Sequence, residues 1–162
     1  MFRLIRNDRN KIEIEKEIMN SNEEYNVIAF DKKHLEDEDI LKGHGLAEEL
    51  NVERFLVKKG EEYIGILDYG MSSPTHKSPR ISLLVVHKEY QGLGYAKEIY
   101  KVYERLMEEK KVSSIHIAVH STNKKALHFW TSLGFVKFNE RIYEGKEFYS
   151  FEKKLIKLRE LN

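Results

Sequence analysis

The sequence contains no cysteine, only two prolines, and no apolar run long enough to cross a bilayer. Without cysteine the chain has no disulfide framework, no thiolate metal site and no cysteine nucleophile. The longest apolar runs, Val27–Phe30 and Leu83–Val86, are far shorter than the roughly 20 residues that a membrane helix needs. The first residues, Met1–Arg6, lack the apolar core of a signal peptide. These absences predict a soluble, cytoplasmic protein with no membrane partner.

An excess of charge of one sign is also missing. The 162 residues carry 28 Lys and Arg against 27 Asp and Glu, a net charge of +1. A dedicated nucleic-acid-binding domain usually has a basic excess, and a disordered chain combines low hydrophobicity with high net charge. With 41% hydrophobic residues and balanced charge, the sequence fits neither class and predicts a globular domain without a nucleic-acid partner.

The charge balance hides a split along the chain. Residues 1–51 carry 8 basic and 13 acidic side chains, a net charge of −5, whereas residues 52–162 carry 20 basic and 14 acidic side chains, a net charge of +6. No linker, repeat or low-complexity segment separates the two parts. We therefore interpret them as two sides of one domain that covers residues 1–162.

The N-terminal third gives the weaker secondary-structure signals. Phe2–Ile5 favours a strand and Asp8–Met19 a modest helix, while the apolar segment Tyr25–Phe30 is ambiguous. Two glycines flank His44, and this flexible sequence predicts a break between two short helices, Leu35–Leu41 and Leu46–Leu50.

From Val52 onward the pattern is clear and predicts an α/β domain with a partly parallel sheet. A hairpin is followed by a glycine- and proline-containing loop over residues 70–79, a buried strand, an amphipathic helix, an alternating strand, a second helix and two final strands. Ser121 or Thr122 is expected to cap the second helix. The predicted segments are Arg54–Lys58, Glu62–Tyr69, Ile81–Val86, Leu93–Lys111, Ile115–Val119, Asn123–Leu133, Phe135–Phe138 and Glu147–Lys153.

The junction between the buried strand and the amphipathic helix has the composition of a phosphate site. The strand ends at Val86, and Gly92 and Gly94 precede the helix, whose first N–H groups have no partner within the helix. Glycines let a phosphate approach the backbone closely. A Walker loop is excluded because Ala96 is followed by Lys97 and Glu98 rather than by Lys and a hydroxyl residue. The segment also differs from a dinucleotide-binding fingerprint, which needs an acidic residue near the end of the next strand. That strand, Ser114–His120, contains no Asp or Glu.

The segment Gln91-Gly92-Leu93-Gly94-Tyr95-Ala96 resembles the Gln/Arg-x-x-Gly-x-Gly/Ala signature of the GNAT superfamily of acyl-CoA-dependent N-acyltransferases. A second segment, from Val119 to Phe135, resembles the family's second cofactor segment, with Asn123, Ala126, Trp130 and Gly134 at the family spacings. The hairpin residues Tyr63-Ile64-Gly65 fit as well. The resemblance covers about Glu53–Lys154.

This resemblance implies a single-domain α/β fold with a mixed central sheet, splayed central strands and flanking helices. It implies an enzyme that moves an acetyl group from acetyl-CoA to a small-molecule or peptide amine by direct attack. Residues 52–154 would bind the cofactor, and residues 1–51 would lie on the acceptor side. The implied cofactor-binding residues are Leu84, Val85, Val86, Gln91, Gly92, Leu93, Gly94, Tyr95, Ala96, Asn123 and Ala126.

Two catalytic roles depart from the family pattern. Many members have a tyrosine, thought to protonate the leaving thiolate, where this sequence has Trp130, and an indole N–H cannot supply a proton near neutral pH. Trp130 is equally consistent with a core position. The general base is unassigned, because Arg80-Ile81-Ser82 stands where some relatives carry a carboxylate. His120 and Glu89 are the candidates retained with Trp130 as catalytic residues; His87, Asp68 and Tyr63 are alternatives.

Other interpretations of the sequence are weaker or remain alternatives. His116 and His120 share a strand face but would lie roughly 13 Å apart, too far to hold one metal ion, so no metal site is predicted. A GNAT-fold module that binds acyl-CoA with little turnover is the main alternative function, and nucleotide binding is the third. The acceptor and the oligomeric state are not fixed by the sequence, which leaves a homodimer open.

Overall fold

The computed structural model describes residues 1–71 and 78–155, in which seven strands form one mixed sheet. Their order across the sheet is β1-β2-β3-β4-β5-β7-β6. All neighbouring strands are antiparallel except β4 and β5, which are parallel. The strands are β1 (Phe2–Arg6), β2 (Val52–Lys59), β3 (Glu62–Gly70), β4 (Arg80–Val86), β5 (Ser114–His120), β6 (Val136–Tyr143) and β7 (Lys146–Lys154).

Five α-helices accompany the sheet in the described residues, with short 3-10 turns at Arg9–Lys11 and Lys88–Tyr90. Within the two described ranges, no helix combines the length and apolarity needed to cross a membrane. The helices are α1 (Ile12–Asn20), α2 (Glu23–Phe30), α3 (Asp37–Glu49), α4 (Tyr95–Glu109) and α5 (Lys124–Ser132).

The two faces of the sheet bury separate apolar clusters. Helix α4 packs Ile99, Tyr103 and Met107 onto one face, and these residues lie at helical spacing with charged residues on the opposite side of the helix. On the other face, Ile18 of α1 and Ile40 of α3 contribute to a smaller cluster with residues of β2, β3 and β4. Successive residues of a strand point to opposite faces, so the central strands contribute to both clusters.

The predicted α/β fold is confirmed, but the predicted break around His44 is wrong. Helix α3 runs without interruption through Gly43, His44 and Gly45. Each glycine costs roughly 1 kcal/mol relative to alanine in a helix. The helix buries Ile40 and Ala47 as well as His44 and begins with a capping box formed by Glu36 and Asp39, and these interactions offset that cost.

The structure differs from the sequence-based expectation at some local positions. The ambiguous segment Tyr25–Phe30 is part of helix α2. The cap of α5 is Asn123, whose side chain accepts a hydrogen bond from Ala126 N, rather than Ser121 or Thr122. The predicted loop over residues 70–79 lies largely outside the described residues, between the end of β3 and the start of β4.

Candidate active site

The parallel strands β4 and β5 pair only at their first residues. Arg80 is in register with His116 and Ile81 with Ile117, and beyond these two pairs the strands continue without a shared ladder. Strands that separate in this way leave unpaired backbone groups along their facing edges. We call this opening between the carboxyl halves of β4 and β5 the splay.

The backbone of Leu84 and Val86 faces the splay. His87 N donates a 2.8 Å hydrogen bond to Ile64 O on β3. Because backbone groups alternate in direction along a strand, Val85 shares the β3 side with His87, and Leu84 and Val86 present their N–H and C=O groups to the opposite edge. An extended ligand can hydrogen-bond to such an edge as an added strand does.

The segment Gln91–Ala96, which we call the cofactor turn, carries two residues in the left-handed backbone region. Gly92 has a φ of 81° and Gly94 a φ of 82°, a conformation that side chains disfavour. A Cβ at either position would have no atom within 4 Å, so glycine is needed here for its conformation and not for space. Helix α4 begins at Tyr95 without a side-chain cap, which leaves its first N–H groups available to an anion.

The side chain of Gln91 links the cofactor turn to neighbouring segments by hydrogen bonds. Its Nε2 donates to Val86 O at 2.8 Å and to Asn22 Oδ1 at 2.7 Å. Lys125 Nζ of α5 donates to Gln91 Oε1 at 3.1 Å and so brings a positive charge beside the turn. Neither Asn22 nor Lys125 is predicted from the sequence, since the motif spacing around Gln91 contains no signal for residues 69 and 34 positions away.

The second predicted cofactor segment lies on α5. Asn123 and Ala126 form the first turn of this helix, with the Asn123 side chain used as its cap. Trp130 lies in the core, 7% exposed, with its ring centroid 5.7 Å from that of Tyr100 and 5.2 Å from that of Phe135, both at edge-to-face angles. Its environment is therefore aromatic and nearly closed to water.

His120, the last residue of β5, is half-buried at the end of the splay. Its ring lies 4.3 Å from the ring of Phe148 on β7. Burial lowers the pKa of His120, Lys146 lowers it further, and Asp31 acts in the opposite direction. The imidazole is therefore neutral near pH 7 and can accept a proton.

The other candidate bases are less well placed for proton transfer. Glu89 is exposed in the 3-10 turn after β4, where its backbone N–H donates to His87 Nδ1 at 3.1 Å. Tyr63 lies beneath the ammonium of Lys58, 5.1 Å from the ring centroid. Asp68 is buried on β3 in an ion network.

This buried ion network joins α1, β2 and β3. Arg54 Nη2 donates to Glu15 Oε2 at 2.6 Å, and Arg54 Nε donates to Asp68 Oδ2 at 3.0 Å. Burial raises the pKa of Asp68 to about 7, against the opposing effect of Arg54. Burial, and then Arg54, lower the pKa of the neighbouring His44. The sequence carries no local signal for this network, because its members come from separate elements and meet only in the fold.

The fold is that of an acetyltransferase domain, and the model of the acetyltransferase (GNAT) family matches residues 15–135. The chain therefore belongs to the GNAT acetyltransferase family. No curated protein matches it.

Solved structures share the fold at low sequence identity. An acetyltransferase from Thermus thermophilus is 20% identical, with a TM-score of 0.79 over 96% of this chain and 97% of that one. A spermidine N-acetyltransferase from Vibrio cholerae, in complex with CoA and spermine, is 17% identical, with a TM-score of 0.69 over 94% and 95%. The protein yncA of Salmonella typhimurium, with its cofactor acetyl-CoA, is 14% identical, with a TM-score of 0.66 over 96% and 94%.

These findings confirm the predicted family, fold and enzyme class, and they agree with acetyl-CoA as the acyl donor. The family match also begins at Glu15, well before the segment over which the sequence motifs resemble the family. The match thus includes helices α2 and α3 and most of α1.

Proposed function

We propose that this chain transfers an acetyl group from acetyl-CoA to a primary amine while both substrates are bound. The observation that carries the proposal is the succession of two features: the edge of β4 that faces the splay, at Leu84 and at the N–H of Val86, is followed after one 3-10 turn by the cofactor turn, Gln91–Ala96. The first feature suits the amides of an extended pantetheine arm, and the second suits a diphosphate. Asn123 and Ala126 would line the arm from α5.

The chemistry required of the protein is modest. The amine nitrogen attacks the acetyl carbonyl carbon, the C–S bond breaks as the N–C bond forms, and the amine loses a proton while CoA leaves as a thiolate. The backbone N–H of Val86 would polarise the carbonyl oxygen, as an oxyanion-hole donor does. A thiolate is a tolerable leaving group, so this scheme needs no acid at Trp130.

His120 is the general base that we propose. Its low pKa keeps the imidazole neutral, and it lies where β5 borders the splay. Glu89 is the second candidate, since a carboxylate can act through water from an exposed site.

The proposed acceptor is a cationic amine. Residues 1–51, which would border the acceptor, carry a net charge of −5. The Vibrio cholerae relative, which binds spermine, is consistent with this class.

Release of free thiol from acetyl-CoA tests the function directly, with polyamines, aminoglycosides, amino acids and peptides as acceptors. We expect release with at least one cationic amine. General-base catalysis contributes about 100-fold or more to the rate. We therefore expect His120→Gln to lower kcat by at least about tenfold, with little change in KM for acetyl-CoA. Glu89→Gln, the control, should retain kcat; the reverse pattern would reassign the base.

Trp130 favours a second candidate function, an acyl-CoA-binding module with little turnover. An indole in an aromatic core supplies no proton to a thiolate. Binding of CoA without thiol release across the whole panel would support this module. A gain of release in Trp130→Tyr would then identify position 130 as the reason for the low turnover.

A further inference from the structure

The junction between α1 and α2 lies against the end of β4. Ser21 Oγ accepts a hydrogen bond from Lys88 N at 3.1 Å. Asn22 Nδ2 donates to Val86 O at 3.1 Å, and Asn22 Oδ1 accepts from Gln91 Nε2 at 2.7 Å. One side chain thus contacts both the strand that borders the splay and the first residue of the cofactor turn.

The opposite end of α2 is attached on the other side of the splay. Lys146, at the start of β7, donates from Nζ to Ile28 O at 3.0 Å and to Asp31 Oδ1 at 2.8 Å. Since β7 is the neighbour of β5, helix α2 is fixed at one end to β4 and at the other beyond β5. It therefore spans the splay on the face that also carries α1 and α3.

Helix α2 has little stability of its own. It contains eight residues, and isolated helices shorter than about 12 residues are marginal in water. Two of its apolar side chains, Val27 and Phe30, are exposed. Its order therefore depends on contacts with the rest of the domain, at its two ends and at the buried Asn26, which donates to Met19 O and Lys33 O.

We propose that Asn22 is a positioning residue that couples acyl-donor binding at the cofactor turn to the order of helix α2. The inference rests on the proposed function, because the donor must occupy the turn. A diphosphate held by the backbone of Gly92–Ala96 fixes the backbone next to Gln91. That restraint favours the orientation in which Gln91 Nε2 reaches Asn22, and Asn22 in turn fixes the first turn of α2. Donor binding thereby prepares the acceptor side of the splay.

Coupling of this kind is reciprocal. If CoA stabilises the ordered state of α2 by some factor, the ordered state of α2 strengthens CoA binding by the same factor. Loss of the Asn22 side chain removes this coupling and therefore weakens CoA binding as well. We expect a roughly fivefold weaker affinity for CoA in Asn22→Ala, at the lower end of known couplings. Asn10→Ala, an exposed asparagine in the 3-10 turn before α1, is the matched control and should bind CoA normally.

Hydrogen exchange of the full chain, with and without CoA, tests the coupling without an identified acceptor. In the wild type and in Asn10→Ala, CoA should slow amide exchange in residues 23–30. In Asn22→Ala at saturating CoA, exchange in α2 should be as fast as without CoA. Lys146→Met removes the hydrogen bonds to Ile28 O and Asp31 Oδ1 at the other end of α2. Amide exchange in α2 should then be faster than in the wild type both with and without CoA, while CoA still slows it.

The outcomes separate the two proposals. Binding of CoA to the wild type with unchanged exchange in α2 overturns the coupling alone. Absence of CoA binding to the wild type overturns the proposed function and the coupling together. If Asn22→Ala does not fold, Asn22→Asp is the second variant, because it keeps the acceptor for Gln91 Nε2 and loses only the donor side of the amide. CoA should still slow exchange in α2 of this variant, and loss of the slowing would contradict coupling through the contact between Gln91 and residue 22.

Discussion

Among single residues, Gly65 on β3 has a backbone position that no other residue type can occupy without a shift. A Cβ built on Gly65 would lie 2.6 Å from Val85 O on β4, a distance that real Cβ atoms do not show. The neighbour is backbone of a central strand, so it cannot move away cheaply. Gly65 therefore permits the close approach of β3 to the strand that borders the splay.

We expect Gly65→Ala to lower the free energy of unfolding by about 1–3 kcal/mol, as overpacking of a core does. Gly45→Ala is the matched control, because a Cβ there has nothing within 4 Å and the residue lies inside helix α3. It should raise stability by about 0.5–1 kcal/mol. Urea denaturation of both variants measures the difference, and equal stabilities would contradict the close approach.

The pH dependence of activity tests His120 at the same scale. Because burial and Lys146 lower the pKa of His120, the acidic limb of kcat/KM should have its midpoint below 6.5. Lys146→Gln removes the neighbouring cation and should move that midpoint to higher pH. Lys42→Gln, an exposed lysine on α3, should leave the midpoint in place. A limb above 6.5 that neither variant moves would exclude His120 as the base.

At the scale of elements, the sequence predicts what depends on local pattern and misses what depends on contacts between elements. The hairpin, β4, α4 and β5 follow from apolar periodicity and agree with the structure. The break at Gly43–Gly45 was wrong because burial of α3 residues outweighs the local glycine cost. The contact of Asn22 with Gln91 was missed for a related reason, since a hydrogen bond between distant segments leaves no periodic pattern in the sequence.

The ion network that joins α1, β2 and β3 makes stability depend on pH. Glu15 and Arg54 balance each other's charge, so ionisation of Asp68 adds an uncompensated buried charge. The pKa of Asp68 is about 7 in the folded protein and about 3.8 in the unfolded chain. This group's contribution to stability is complete below about pH 4 and is lost as the pH rises through 7, by at most about 1.4 kcal/mol per pH unit.

The comparison of wild type with Asp68→Asn isolates this effect, because the amide does not titrate. The free energy of unfolding of the wild type, relative to that of the variant, should fall between about pH 4 and pH 7. Titration of His44 affects both proteins in the same way and largely cancels. A relative gain by the wild type as the pH rises would mean that Asp68 is an ordinary ionised partner of Arg54.

For the whole molecule, the near-zero net charge conceals a division that matches the architecture. Residues 1–51, with a net charge of −5, form β1 and the helices α1, α2 and α3, and one of these helices spans the splay. The remaining residues, with a net charge of +6, include the cofactor turn and Lys125 beside it. An anionic donor and a cationic acceptor would each meet the side of opposite charge.

Steering by such a charge distribution weakens with salt, because the screening length falls to about 10 Å at 0.1 M ionic strength. We expect the KM of a cationic acceptor to rise by at least about twofold between ~0.02 and ~0.2 M salt. Replacement of the exposed Glu24 of α2 by lysine, Glu24→Lys, should raise this KM at low salt and reduce its salt dependence. Glu109→Lys, at the far end of α4, should change neither. Steady-state kinetics at several salt concentrations measures both effects. A preference for anionic acceptors, with no salt dependence of KM for cationic ones, would contradict the assignment of the acidic side to the acceptor. Attraction between opposite charges would then not be what brings the amine to the splay.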